Sequence, residues 1–400
     1  MDTSYFLSVD TLHRSQRLFA ILGLGFFLLQ FVLSSRIKWI ERGFGLDKML
    51  SLHRWFGRVA VGLLLLHFSL LVTLDLVSRG YWLWDGHRLL GLAALVIVLL
   101  AASVASLYKT LHLRYELWKG MHMANYVAFP LALLHLFLQP VDRVMYGVWI
   151  VLAAVYVLLI LHRTHGIYVM RKSPFTVVDV IKENRDTWTL QFAGRPLKYL
   201  PGQFMHVQLR RRDRMSSSHP FSMSSGPTDD AVAITVKESG DFTSTIGETQ
   251  GGDLAYIDAP YGRFSFLHTP GNRPLAFIAG GIGIAPFMSM LRYMRDAKID
   301  RDVHLFWGNR TEENLLFRGE LEALEEQLPG LKVILVMSDQ PDWPEDQGRI
   351  DANLLRRHIG ALSDHEFFLC GPPPMTRAIT RQLKENQVPS DRIHRELFEL

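Results

Sequence analysis

The sequence predicts a multi-domain membrane protein in three parts: an α-helical transmembrane bundle, an antiparallel β-barrel, and a doubly wound α/β nucleotide-binding domain. Three observations point there. Apolar runs long enough to cross a bilayer stop near residue 162. From Ser173 the pattern changes to short alternating runs such as FTVVDVI and TWTLQF. From residue 274 continuous apolar runs ending in turn residues alternate with helix patterns. At 400 residues the chain has room for several domains. Their expected bounds are 1–165, 172–270 and 271–400. A mean hydropathy of +0.11 with 20% charged residues averages two unlike halves.

A formal charge of +4 is small for this length, and no nucleic-acid partner is expected. Much of the basic excess flanks apolar runs, which fits a lipid bilayer better. The single cysteine, Cys370, excludes an intramolecular disulfide framework and any multi-cysteine zinc or iron–sulfur site. The first apolar run is followed by Arg36, Lys38 and Arg42 rather than a small-residue cleavage site, so it reads as a retained helix.

Five runs are long enough to span: 18–36, 52–76, 88–108, 117–138 and 144–162. Arg36, Lys38, Arg42 and Lys48 lie in one connection, Lys109 and Arg114 in another, and Arg163, Arg171 and Lys172 at the exit. The opposite side has Arg79 and Arg88 offset by Asp75 and Asp85, then Asp142 and Arg143. The Lys/Arg balance predicts a multi-pass plasma (inner) membrane protein with the second and third domains in the cytoplasm and the N-terminus outside.

Two histidine couplets interrupt this apolar sequence. His53 and His67 lie in HRWFGRVAVGLLLLH, and His122 and His135 in HMANYVAFPLALLH. Ligating side chains inside a membrane are costly and need a compensating role. At ~1.5 Å per residue the couplets span roughly 21 and 19.5 Å, within a hydrocarbon core of ~30 Å. Four imidazoles at two matched depths predict two stacked haems, each with one axial histidine from each helix. A fourteen-residue step returns His67 to within ~40° of His53, whereas thirteen residues leave His135 about 140° from His122. Pro130 lies between the latter two, so a bend within a turn N-terminal to it is expected to correct the phase. His13, His87, His112, His162 and His165 read as interfacial polar residues.

In the second part, His219-Pro220-Phe221-Ser222 offers an aromatic wall and a hydroxyl, the two things a flavin ring needs. Lys237-Glu238-Ser239-Gly240-Asp241-Phe242-Thr243-Ser244 follows: a cation, a glycine turn, then hydroxyls opening a helix, suited to a pyrophosphate. In the third part, the apolar strand PLAFIAGG runs into Gly280-Gly281-Ile282-Gly283-Ile284-Ala285-Pro286 and a helix pattern. Such a turn lets backbone approach a pyrophosphate and aims a helix N-terminus at it. DVHLFWGNR, KVILVMSD and EFFLCGPP read as further buried strands between helices 312–328, 350–359 and 374–386. Arg310 follows the second strand, where adenosine ribose is read; it favours NADPH, with NADH as the alternative.

LHRWFGRVAVGLLLLH followed by KGMHMANYVAFPLALLH resembles the ferric-reductase-type membrane domain of NADPH oxidases and ferric reductases. Pro201-Gly202-Gln203-Phe204, Tyr261-Gly262-Arg263-Phe264, the G-G-x-G-x-x-P turn and Cys370-Gly371-Pro372-Pro373 resemble landmarks of the ferredoxin–NADP reductase superfamily. The resemblance implies that His53 and His122 hold an inner b-type haem and His67 and His135 an outer one. It maps His219 to Ser222 onto the flavin ring of FAD, Lys237 to Ser244 onto its diphosphate, and Cys370 beside the nicotinamide C4. Phe398 matches a terminal aromatic that stacks on the flavin, and Arg17 matches in rough position an arginine by the oxygen pocket of oxidases. Two departures stand out: eukaryotic members usually have one more span at the start, and Leu71 occupies a position where oxidases carry histidine. The expected activity moves electrons from cytoplasmic NADPH through FAD and two haems to dioxygen outside, giving superoxide. Ferric-chelate reduction, or delivery to a periplasmic protein acceptor, is the alternative.

Overall fold

The computed structural model describes residues 3–396 apart from 83, 109, 114 and 213, so Phe398 lies outside the described residues. The chain forms two compact units, Met1–Ile167 and Tyr168–Leu400.

The first unit is helical: α1 (Thr3–Ser34), α2 (Lys38–Phe44), α3 (Leu46–Arg79), α4 (Gly86–Leu107), α5 (Tyr115–Met123), α6 (Asn125–Phe137) and α7 (Arg143–Lys172). The helices are apolar on most faces, as segments that meet lipid on one side and protein on the other must be. Leu22, Leu29, Leu65, Leu66, Leu100 and Leu158 point outward, while Leu24, Phe27, Phe31, Ala60, Val98, Phe129 and Tyr156 form the interior. α3 stops at Gly80, whose left-handed backbone (φ +80°) lets its N–H bond the Leu76 carbonyl. α4 starts at Asp85, whose carboxylate accepts the Arg88 N–H at 3.0 Å.

Among the described residues, four helices are long and apolar enough to cross a membrane: Asp10–Ser34, Lys48–Arg79, Gly86–Leu107 and Arg143–Lys172. The expected run 117–138 is instead divided at Ala124 into α5 and α6. The Asn125 side chain donates to the His122 carbonyl at 2.9 Å, a local bond that competes with the helix ladder. The interruption therefore lies six residues before Pro130, further than the single turn expected, and α6 runs on through the proline. Proline has no N–H for the Tyr126 carbonyl one turn back. That carbonyl accepts the Tyr156 hydroxyl from α7 at 2.8 Å.

The second unit opens with an antiparallel sheet of β1 (Phe175–Lys182), β2 (Thr187–Ala193), β3 (Phe204–Arg211), β4 (Arg214–Met215), β5 (His219–Ser222), β6 (Val232–Lys237) and β7 (Leu254–Tyr261). Its order is β4-β3-β7-β1-β2-β6, with β5 paired to β3. Val177, Leu190, Met205, Val207, Ile234 and Ile257 close over one core, each set alternating along its strand.

The chain then builds a parallel sheet from β8 (Leu275–Gly280), β9 (Val303–Asn309), β10 (Leu331–Met337), β11 (Asp346–Gln347), β12 (Glu366–Cys370) and β13 (Ile393–Glu396). α8 (Ala285–Asp296), α9 (Arg318–Gln327), α10 (Ala352–Ile359) and α11 (Pro373–Glu385) connect these strands. The order β11-β10-β9-β8-β12-β13 leaves β8 first toward β9 and returns on its other side as β12. The crevice between the carboxyl ends of β8 and β12 is thus the switch point at which such sheets take ligands. Separate cores cover the two faces, one around Phe287 and Trp307 and the other around Phe306, Leu355 and Leu369.

Candidate functional site

In the helical unit, α3 carries His53 and His67, α5 carries His122 and α6 carries His135. The His53 and His122 rings meet edge-on, with centroids 5.9 Å apart and planes at 63°. His53 also meets a backbone hydrogen-bonding group of Gln30. His122 lies 5.7 Å from the Trp118 ring, nearly parallel to it, and its Nδ1 is buried without a hydrogen-bond partner among the described residues.

His67 and His135 line one cavity, together with Phe27, Leu71, Trp82 and Arg88. Their Nδ1 atoms sit on backbone carbonyls, His67 on Gln16 at 2.9 Å and His135 on His87 at 2.6 Å. A carbonyl only accepts, so each Nδ1 holds the proton and each Nε2 keeps its lone pair. The Gln139 amide lies 3.0 Å from the His135 Nε2. Gly91 gives the His135 ring its room, since a Cβ there would stand 3.0 Å from Nδ1. Among the described residues no three His, Cys, Asp or Glu side chains gather as a bare ion would need. Paired imidazoles suit a metal that brings its own in-plane donors.

Arg17 is exposed on α1 and is not among the cavity's lining residues; Arg88 is. Arg88 bonds Asp75 and stacks on Trp82 at 5.4 Å, and Asp75 also takes Arg79 at 2.5 Å. Asp75, buried to 3% exposure, was legible in the sequence only as a loop charge.

In the second unit, two sequence landmarks are joined by one side chain. Buried Gln203 donates to the Gly262 carbonyl at 2.7 Å and accepts the Leu200 N–H at 2.8 Å. β5 runs beside β3, setting Ser222 opposite Phe204, with His219, Pro220 and Phe221 half-buried along it. His219 stacks on Phe242, centroids 4.2 Å apart. Lys237, at the end of β6, is 3.2 Å from Asp186 rather than isolated. The Thr243 hydroxyl accepts the N–H groups of Ser239 and Gly240 at 2.9 and 3.0 Å, and the Ser244 hydroxyl donates to Asp241. These hydroxyls therefore fix the turn.

At the switch point, Gly280 and Gly283 meet Cys370, Gly371 and Pro372. A Cβ on Gly283 would run into the Cys370 carbonyl, and one on Gly280 would lie 2.8 Å from Pro372. Gly281 adopts φ +52° and its carbonyl takes the Trp307 indole N–H at 2.9 Å. Pro286 opens α8, whose N-terminus follows the glycine turn. Cys370 is buried, and burial, with the Glu396 carboxylate second, pushes its thiol well above its ordinary pKa. Glu396 is a residue the sequence reading passed over. It pairs with Cys370 across β12 and β13, and a Cβ on Gly262 would lie 3.5 Å from its Oε2. Since Gly262 in turn packs on Phe204, a short chain of contacts links Ser222 to Cys370. Arg310 is exposed beyond β9, 3.9 Å from Asp339.

An antiparallel sheet followed by a parallel one with a glycine turn at its switch point defines an oxidoreductase module that binds FAD and NAD(P). Residues 19–133 match the ferric reductase like transmembrane component, 169–251 the FAD-binding domain and 277–381 the oxidoreductase NAD-binding domain. The chain has the architecture of the ferric reductase and NADPH oxidase superfamily, with a ferredoxin–NADP reductase-type module. It is 28% identical over 210 residues to the terephthalate 1,2-dioxygenase reductase component 2 of a Comamonas species, covering 51% of this chain and 61% of the relative. It is 30% identical to the propane 2-monooxygenase reductase component of Mycolicibacterium smegmatis, covering 50% and 59%. The match thus spans about three-fifths of these relatives. The cytochrome P450 reductase GcoB of Amycolatopsis shares the fold at a TM-score of 0.51 and 25% identity, over 56% of this chain and 69% of that one.

Proposed function

We propose that this chain carries electrons across the plasma (inner) membrane, from NAD(P)H bound in residues 271–400, through FAD in 172–270, to two haems in 1–165. Counting α5 and α6 as one passage keeps the number of crossings odd, and the Lys/Arg balance supports a cytoplasmic side for the nucleotide domains. FAD converts a two-electron donor into single electrons, and haem iron carries them one at a time.

The observation that carries this reading is the tautomer of the outer pair. Both imidazoles are held by backbone carbonyls on Nδ1, which leaves the Nε2 lone pair for a metal, on His135 in place of the Gln139 amide, and both border one cavity. The inner rings, 5.9 Å apart, are separated by roughly what two metal–nitrogen bonds of about 2 Å plus two half-rings require. His53, His67, His122 and His135 are accordingly the proposed iron ligands. On the cytoplasmic side Ser222 and Phe221 would flank the flavin, with Lys237, Gly240, Thr243 and Ser244 around its diphosphate. Gly280, Gly281, Gly283 and Pro286 would hold the nucleotide pyrophosphate, and Cys370, Gly371 and Pro372 the nicotinamide.

Dioxygen, reduced to superoxide, is the proposed acceptor. A ferric chelate is the second reading, because apolar Leu71 borders the outer cavity. The test is the full chain in detergent, supplied with FAD, haem and NAD(P)H. We expect a six-coordinate low-spin spectrum with two haems per chain, and superoxide at twice the rate of nicotinamide loss. Turnover only with added ferric chelate would replace the first acceptor by the second. A protein that binds FAD but no haem would end the proposal.

A further inference from the structure

The ribose end of the nucleotide site carries a residue that the sequence reading did not weigh. β9 and β10 run parallel with Asn309 opposite Met337, so the residues just beyond them sit side by side at the carboxyl edge. The Ser338 N–H bonds the Asn309 carbonyl and the Asp339 N–H bonds the Arg310 carbonyl, both at 2.9 Å. Arg310 and Asp339 are thereby locked as neighbours. Their side chains remain 83% and 59% exposed, with Nε 3.9 Å from the carboxylate. The Ser338 hydroxyl, 3.0 Å from the other carboxylate oxygen, orients Asp339.

We propose that Asp339 is the ribose-reading residue of this site and makes NADH the preferred donor, with NADPH taken less well. This rests on the reading of residues 271–400 as the NAD(P)H site. A 2′-phosphate would bring a second anion to Asp339, and the charge of Arg310 is already offset by that carboxylate. A carboxylate is instead the natural acceptor for a ribose 2′-hydroxyl. Of the nearby cations, Arg318, at the start of α9, is held by Glu312 and Glu322, and Glu313 adds a further negative charge to the loop, while Arg349 follows β11 at the same carboxyl edge.

The test compares NADH and NADPH as reductants of the flavin in the full FAD-loaded chain. NADH should lead in kcat/KM by roughly 10-fold. Asp339→Asn should shift the NADH-to-NADPH ratio toward NADPH by about as much, chiefly through a lower KM for NADPH, because the substitution removes the charge and keeps the shape. Arg310→Ala should weaken NADPH further and spare NADH. A clear NADPH preference in the unaltered chain, or an unchanged ratio in Asp339→Asn, overturns the inference. If neither nucleotide reduces the flavin, the electron-transfer reading fails instead. Calorimetric affinities for the two nucleotides then still decide the ribose end by the same ratio.

Discussion

The His135 ring lies stacked on that of His87, centroids 5.7 Å apart, with its Nδ1 2.6 Å from the His87 carbonyl. A histidine in the first turn of α4 thus sets the orientation of a buried one through its backbone. The first turn of α4 is fixed in its turn: Asp85 accepts the Arg88 N–H and lies 2.9 Å from the His87 Nδ1, and Asp75 on α3 bonds Arg88. Positioning of the outer pair therefore reaches back to an ion pair between two helices, the kind of supporting shell that metal-binding imidazoles need.

Replacing one histidine at a time should separate the two levels. His67→Ala and His135→Ala should each halve the haem content and leave the inner pair intact, because His53 and His122 pair independently. Pyridine haemochrome content and the reduced-minus-oxidised spectrum measure this. Loss of both haems in His67→Ala would mean that the pairs are not separate sites.

Gly91 supplies a sharper test, since it removes no ligand. A Cβ there would stand 3.0–3.1 Å from three atoms of the His135 ring. Gly91→Leu should displace the imidazole, abolish the outer low-spin signal, and cost about 1–3 kcal/mol through overpacking. Gly147→Leu, at a glycine with nothing within 4 Å, is the control and should retain both signals. Equal haem content in the two variants would remove Gly91 from the cavity wall.

Much of this arrangement was legible because each part announces itself by local pattern. Continuous apolar strands ending in Gly280 and Cys370 read as a parallel sheet, and the G-G-x-G-x-x-P turn reads as a pyrophosphate turn, which the strand order places at the switch point. What stayed hidden depends on contacts between distant segments. His87 acts through a carbonyl that any residue could provide, Glu396 matters only because β13 lies beside β12, and Asp339 only because β10 lies beside β9. The division at Ala124 escaped notice for a related reason. Proline is a conspicuous helix breaker, whereas the Asn125 side chain that bonds the His122 carbonyl looks like any polar residue.

Acid should weaken the second unit by a route with a definite sign. Burial, then the nearby His365, lowers the pKa of His304 from 6.5, and burial, opposed by the Ala361 carbonyl, lowers that of His365. Below pH 6.5 the unfolded chain takes up protons that these folded imidazoles refuse, so stability falls as pH drops through the unfolded value. Urea midpoints read from tryptophan fluorescence should decline from pH 7.5 to 5.5. The slope should flatten in His304→Phe. An unaltered slope in that variant would assign the acid sensitivity elsewhere.

The Tyr156 hydroxyl and Pro130 should prove energetically coupled, although they lie on different helices. Pro130 leaves the Tyr126 carbonyl without its helix donor, and Tyr156 provides a replacement at 2.8 Å. Removing that hydroxyl in Tyr156→Phe strands a buried acceptor and should cost about 1–3 kcal/mol. In a chain that already carries Pro130→Ala, the helix can supply its own N–H to Tyr126, and the same tyrosine change should cost much less. The double-mutant cycle in detergent, followed by thermal melting, should therefore show a coupling of about 1 kcal/mol or more. Additive effects would mean that the hydroxyl stabilises α7 by some other contact, and the continuity of α6 through its proline would then need a different support.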